Sequence, residues 1–462
     1  MNINSNFKYL NVGLPEDILR RKTWGDFEGA VRLIDKHLAT DIPEALRACL
    51  ICEREMILRL PDDYSYTRET ALAKIRAAIA DFTEEEFDEM VDDNKIDWIY
   101  INGEPHYFDA FYGTLIKTNA EFAKRAGIVD KGHVDGEDNA KEGEEGILDR
   151  SARLMRENGE MTCRIRIHAG VRIKDEYFEK GKLVRVHVPI PAACDQQSEI
   201  RFEAFSSEPT YIAPEDAPQR TVYWEEVTEE NHEFWVEYSY VHKAPYVDPA
   251  KIVPNAVQPT FHTEEIAPHI VFTPYIRSLV ETLTEGVTNP VEKARIFYDF
   301  VTTKVKYSFM REYFGLENIA ESCARNFRGD CGVQALLLIT LCRCAGIPAR
   351  WQSGLYVEPG DAGMHDWVQI YIAPHGWMYA DPSFGGSAYR NHNEKRRQHY
   401  FGNLEPYRMV ANREFQAAFD PPKTHWRKDP YDNQAGEVEY EDRGLTGPEY
   451  KRIFNVLSHE EI

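Results

Sequence analysis

From Val333 the apolar residues Val333, Leu336, Leu337 and Leu341 recur at helical spacing. Gly329-Asp330-Cys331 stands immediately before them, so Asp330 can cap the helix and Cys331 falls in its first turn. Gly346 and Pro348 end it, because glycine tolerates the left-handed position and proline cannot continue. The period then drops to two. Ala349 to Tyr356 reads as a strand, Pro359-Gly360-Asp361 as a turn, and His365 to Ile372 as a second strand. In that strand His365, Trp367, Gln369 and Tyr371 share one face, and Val368, Ile370 and Ile372 the other. Pro374-His375-Gly376 turns the chain into a third strand, Trp377 to Ala380, which Asp381-Pro382 closes.

The same patterning divides the rest of the chain. Residues 1–129 read as a helical region. Ile42 to Leu60 forms an amphipathic helix ended at Pro61-Asp62-Asp63, Thr67 opens another, and Thr83-x-x-Glu86 is a capping box. Trp98 to Ile101 followed by Asn102-Gly103 reads as a short hairpin. Residues 130–160, rich in Gly and Glu, read as a linker or mobile loop. Residues 161–250 alternate with period two, as in Cys163 to Ala169, Leu183 to Pro189 and Phe234 to Val241, and predict an antiparallel β-sandwich-like domain. Its His168 and His187 read as solvent-facing strand residues. Residues 251–415 contain the helix and strands of the first paragraph, with Tyr400 to Leu404 and Arg408 to Asn412 as closing strands. Glu394-Lys-Arg-Arg-Gln-His reads as solvated surface, with phosphate or substrate binding the lesser alternative. Residues 416–462 read as a tail packed on the body.

A cysteine at a helix N-terminus, a histidine on one strand and an aspartate closing the next supply a nucleophile, a base and its orienter. The unpaired N–H groups of the helix end and its dipole favour thiolate over thiol. Gly329-x-Cys331, Leu341-x-Arg343-x-x-Gly346-Ile347-Pro348-Ala349-Arg350 with Gly354, His365-x-Trp367-x-x-x-Tyr371 and Trp377-x-x-x-Asp381-Pro382 occur in one order. This set resembles the core of the transglutaminase-like superfamily, over roughly Pro268 to Arg413. The resemblance implies an α+β chain with a papain-like core, Cys331 as nucleophile, His365 as general base and Asp381 as its orienter. It also implies activities ranging over amide transfer, peptide hydrolysis and deglycosylation of peptides. Val305-Lys306-Tyr307 resembles the family's lead-in to the catalytic helix. Tyr307 is thereby a candidate second oxyanion donor beside the Cys331 N–H, and Trp367 and Trp377 are candidate walls of a substrate groove.

Composition then trims the alternatives. A net charge of −23 over 462 residues argues against nonspecific nucleic-acid binding and against adhesion to anionic membranes. No run of 18 apolar residues is present, and the N-terminus lacks a basic start with an apolar stretch, so a cytoplasmic protein is expected. The eight cysteines do not form a disulfide scaffold. Cys49-x-x-Cys52 lies in a helical pattern and reads as packing, Cys323 is a possible reversible partner of Cys331, and no Cys/His set has zinc spacing. The expected chemistry is cysteine-dependent acyl transfer on a peptide or protein substrate, hydrolytic, with no cofactor and no metal. Transamidation, peptide deglycosylation and a non-catalytic peptide-binding or assembly module stand as alternatives.

Overall fold

The computed structural model describes residues 3–128 and 145–462. Residues 130–144 of the segment read as a linker fall outside them. Its C-terminal part is a helix, Ile147–Asn158, because Leu148, Ser151, Ala152 and Met155 form a buried stripe that the surrounding Glu and Gly content conceals. The chain is α+β and divides into two compact units, 1–134 with 265–273 and 305–333, and 135–264 with 274–304 and 334–462.

The first unit is largely helical. The helices Phe27–Leu38, Glu44–Asp63, Arg68–Arg76 and Glu84–Asp92 bury Ile34, Leu50, Ile57, Leu72, Ile75 and Phe87. Thr67 and Thr83 both start their helices with capping boxes. The helix over Cys49 and Cys52 runs through Pro61 to Asp63 and does not end before the proline. Both thiols are fully buried in it. Trp98–Ile101 and Glu104–Tyr107 form the expected hairpin, with Asn102 and Gly103 at left-handed φ in the turn.

The second unit holds three antiparallel sheets. The first has five strands in the order Phe401–Gly402, Gly376–Ala380, Asp361–Ile372, Ala349–Glu358 and Arg408–Asn412. The second runs Glu437–Tyr440, Leu183–Pro189, Thr221–Val227 and Tyr211–Ile212. The third runs Tyr450–Glu461, Glu160–Ile173, Phe234–Pro245 and Gln197–Phe205. Each of the last two sheets thus takes an edge strand from the C-terminal segment. Trp224 and Phe234, one from each sheet, meet with ring centroids 6.1 Å apart. His187 does not face solvent: it is buried between Tyr223 and Phe419, and burial pulls its pKa down to about 3. His168 is half-buried, stacked on Trp235.

Candidate active site

Asp381 is held through both of its carboxylate oxygens. It closes the Gly376–Ala380 strand and caps the helix Pro382–Arg390, its Oδ1 accepting the Phe384 N–H at 2.8 Å with Pro382 in the first turn. Its Oδ2 meets His365 Nε2 at 2.7 Å and lies 2.8 Å from the Arg408 guanidinium. His365, Asp381 and Arg408 are all completely buried. Burial by itself raises a carboxyl pKa, but the charges of His365 and Arg408 and the hydrogen bonds from His365 and Phe384 outweigh it. The Asp381 carboxyl is held below the ordinary carboxylate range.

Sheet register explains the pairing. Val368 sits opposite Ala380, so the residue after Ala380 comes level with the His365–Trp367 end of the neighbouring strand. On its other side His365 lies opposite Gly354. There a Cβ would come within 2.0 Å of the Met409 carbonyl oxygen, so only glycine lets the Arg408–Asn412 strand approach and deliver Arg408. The Phe384 ring packs on the imidazole at 4.5 Å, and the Arg408 guanidinium lies 4.6 Å from the Phe384 ring centroid. His365 Nδ1 is buried and has no hydrogen-bond partner among the described residues. An imidazole anchored through Nε2 with its second nitrogen unsatisfied is set to exchange a proton at Nδ1.

Cys331 opens the helix Cys331–Cys344 and is 9% exposed. Asp330 Oδ1 accepts the Val333 N–H at 3.1 Å, the capping role its sequence position implies, and also receives the Tyr313 hydroxyl at 2.5 Å. Gly329 pairs in parallel with Tyr307. The Tyr307 ring is buried under the Lys117 ammonium, 4.0 Å from its centroid. All eight cysteines are free thiols, Cys323 included.

The two tryptophans part company. Trp367 is fully buried beside His365, ring centroids 6.2 Å apart, and its indole N–H donates to Gln352 at 2.8 Å. Trp377 sits at the opposite end of its strand from Asp381. It is ringed by Tyr371, Phe261 and His262, with the Arg350 guanidinium 4.1 Å from its centroid. It thus belongs to an aromatic cluster of its own, while Trp367 is the tryptophan in ring contact with His365.

Arg408 escaped the sequence reading: it opens the strand Arg408–Asn412 ahead of the apolar Met409, Val410 and Ala411, and only the fold shows the carboxylate it meets. Glu405 is its second anion, 2.5 Å from Nε. Phe384 and Gln434 carried no such signal; the Gln434 amide donates to the His365 carbonyl at 3.0 Å. The run Glu394-Lys-Arg-Arg-Gln-His is solvated only at Glu394 and Lys395. It is the helix Glu394–His399, in which Arg396 and Arg397 are buried against Asp149 and Asp299, so their charges are already matched.

Residues 277–382 match the family model described as the transglutaminase-like superfamily. The chain therefore carries a transglutaminase-like core, and the Cys331–Asp381 region lies within it. The uncharacterized protein YebA of Bacillus subtilis is 25% identical over 166 residues, 32% of this chain, and the chain spans only 22% of that relative's length. A solved putative cysteine protease from Cytophaga hutchinsonii is 13% identical, covering 66% of this chain and 91% of that one at a TM-score of 0.39. The periplasmic domain of TgpA from Pseudomonas aeruginosa is 15% identical, covering 54% and 96% at a TM-score of 0.28. Among the described residues no helix is long and apolar enough to cross a membrane.

Proposed function

We propose that the protein is a cysteine-dependent acyl-transfer enzyme that hydrolyses peptide or carboxamide bonds through a thioester on Cys331. The observation that carries the reading is the buried His365–Asp381 pair with His365 Nδ1 left unsatisfied. In this reading Nδ1 accepts the Cys331 thiol proton, and the sulfur adds to the carbonyl carbon. The Cys331 N–H at the helix start stabilises the oxyanion, with Tyr307 the candidate second donor. Collapse of the adduct expels an amine that takes the proton back from His365. Water then repeats the sequence in reverse roles and releases a free acid. Asp381 fixes the imidazole and balances its positive charge, and Arg408 keeps Asp381 ionised and aimed.

The test is a defined peptide mixture incubated with the protein and with its Cys331→Ala variant, products weighed by mass. New free acids that depend on Cys331 are expected. Adding a millimolar primary amine is expected to divert little of the acyl-enzyme, since an amine must outcompete water at about 55 M through a shaped binding channel. Predominant amide exchange would instead assign the acyl group to amines.

A further inference from the structure

His365 stands where its sheet supports the backbone least. The ladder between Asp361–Ile372 and Gly376–Ala380 ends with Val368 opposite Ala380. His365 and Asp366 run past that end, laddered among the described residues to Ala349–Glu358 alone. The residues opposite them are Gly354 and Ser353, and the pairing of Ala349–Glu358 with Arg408–Asn412 slips between those same two positions. An imidazole carried on such a stretch needs a further hold, because a misplacement of about 1 Å costs roughly 10²-fold in rate.

The hold comes from the loop before Glu437–Tyr440. The Gln434 amide donates twice, to the His365 carbonyl at 3.0 Å and to Asp366 Oδ1 at 2.5 Å. Successive strand residues point to opposite faces, so the buried Asp366 lies on the face away from the imidazole. There it neighbours Ser353 and, one strand further, Asn412. Asp432 joins them: its Oδ1 accepts the Ser353 hydroxyl, and its carboxyl is hydrogen-bonded to that of Asp366. Two ionised carboxylates cannot make that bond, so the pair retains one proton. Burial, which raises the Asp432 carboxyl above its ordinary range, favours keeping it. The loop is itself tied down. Asn412 Nδ2 donates to Ser353 Oγ at 2.9 Å and to the Asn433 carbonyl at 2.7 Å. Arg427 donates to the Asp432 carbonyl at 2.7 Å and pairs with Glu437 at 3.0 Å. Asp429 Oδ1 accepts the Tyr431 and Asp432 N–H groups.

We propose that Gln434 and the Asp366–Asp432 carboxyl pair are positioning residues for His365, fixing its backbone from the far face of the sheet so that the imidazole meets Asp381 at one angle. The proposal rests on the acyl-transfer reading for the role of His365 as base. Asp381 and Arg408 aim the ring, and the loop fixes the strand that carries it.

The experiment has two readouts on the whole chain. The first is steady-state kinetics on a peptide cleaved in a Cys331-dependent way, at a temperature where circular dichroism shows every variant folded. Gln434→Met keeps the length of the side chain and removes both donors. It is expected to lower kcat about tenfold or more with KM within about twofold of the parent. Asp366→Ala is expected to do the same. Asp366→Asn is expected to recover most of that loss, since its amide accepts from Gln434 and donates to Asp432 without needing the shared proton. The second readout is proton NMR in the Cys331→Ala background, which needs no turnover. The low-field resonance of the His365 Nε2–H proton held by Asp381 is expected to move in Gln434→Met and Asp366→Ala and to return in Asp366→Asn. A resonance unmoved in Gln434→Met and Asp366→Ala overturns the proposal, and a kcat loss beside it then reports only weakened folding. Parent-like kcat in Gln434→Met also overturns it. A resonance that moves and returns as described, in a protein that yields no Cys331-dependent product, keeps the positioning role and removes the hydrolase reading.

Discussion

At the residue scale, selectivity among thiols is the sharpest consequence. Burial pushes Cys49 up to about 11 and Cys52, Cys163 and Cys194 up to about 12, and raises Cys323 and Cys342 further. Cys331 opens a helix, where the unpaired N–H groups favour thiolate. Limited alkylation with iodoacetamide near neutral pH should therefore modify Cys331 first, checked by peptide mapping; even labelling across sites would remove it as nucleophile. Asp381→Asn is the second residue-scale case. The amide oxygen can still accept the Phe384 N–H, but Arg408 is left buried with Glu405 alone. A loss of several kcal/mol, about 3 to 5, is expected in denaturant unfolding, with turnover slowed by up to roughly 10⁴ as in serine triads. The sign with pH follows from the depressed carboxyl. Its stabilisation is fully present above the unfolded value near 3.9 and is lost as pH falls through the lower folded value, so the two proteins should converge in stability only in strong acid. The Cys331, His365 and Asp381 candidates were legible because three residue types at fixed order define a chemistry. Arg408 was not, because a sequence shows a charge in a strand without showing the carboxylate it will meet.

At the scale of elements, strands and caps were read well and the packing between them was not. The Thr83 capping box and the helix from Cys331 depend on neighbours three or four residues away, which periodicity sees. The basic helix Glu394–His399 depends on Asp149 and Asp299, far off in sequence, and its burial was invisible. Gly354→Ala tests one such long-range demand. The new methyl would meet the Met409 carbonyl, shift the Arg408–Asn412 strand and loosen Arg408 from Asp381. Turnover should fall together with thermal stability; unchanged values for both would show that the strand approach matters to neither. The loop before Glu437–Tyr440 offers a pH test. Burial, then the neighbouring Asp432 charge, raises the Asp429 carboxyl to about 7. A raised acid favours the protonated fold, so this residue makes stability decline as pH rises from about 4 through about 7. Asp429→Asn keeps an oxygen for the Tyr431 and Asp432 N–H groups and should flatten that decline in urea titrations at pH 5 and pH 8.

At the scale of the whole molecule, the two compact units are not consecutive pieces of chain, since 265–273 and 305–333 cluster with the N-terminal region. A linear reading of composition shifts cannot anticipate that, because it assigns each stretch to its neighbours in sequence. The C-terminal segment makes the same point. Nothing in its prolines and charges announces that Glu437–Tyr440 pairs with Leu183–Pro189, or that Tyr450–Glu461 pairs with Glu160–Ile173 along its whole length. The register of that last pair, Tyr450 opposite Ile173 and Glu461 opposite Cys163, has a consequence for biosynthesis. During translation the Glu160–Ile173 strand leaves the ribosome nearly three hundred residues before its partner exists. At about 5 to 20 residues per second the wait is roughly 15 to 60 s, with one ladder edge of an otherwise paired strand open to other chains. Ribosome-bound chains stopped before Tyr450 should accordingly be cut by protease within 161–173 and recruit chaperones, and release of the finished chain should end both.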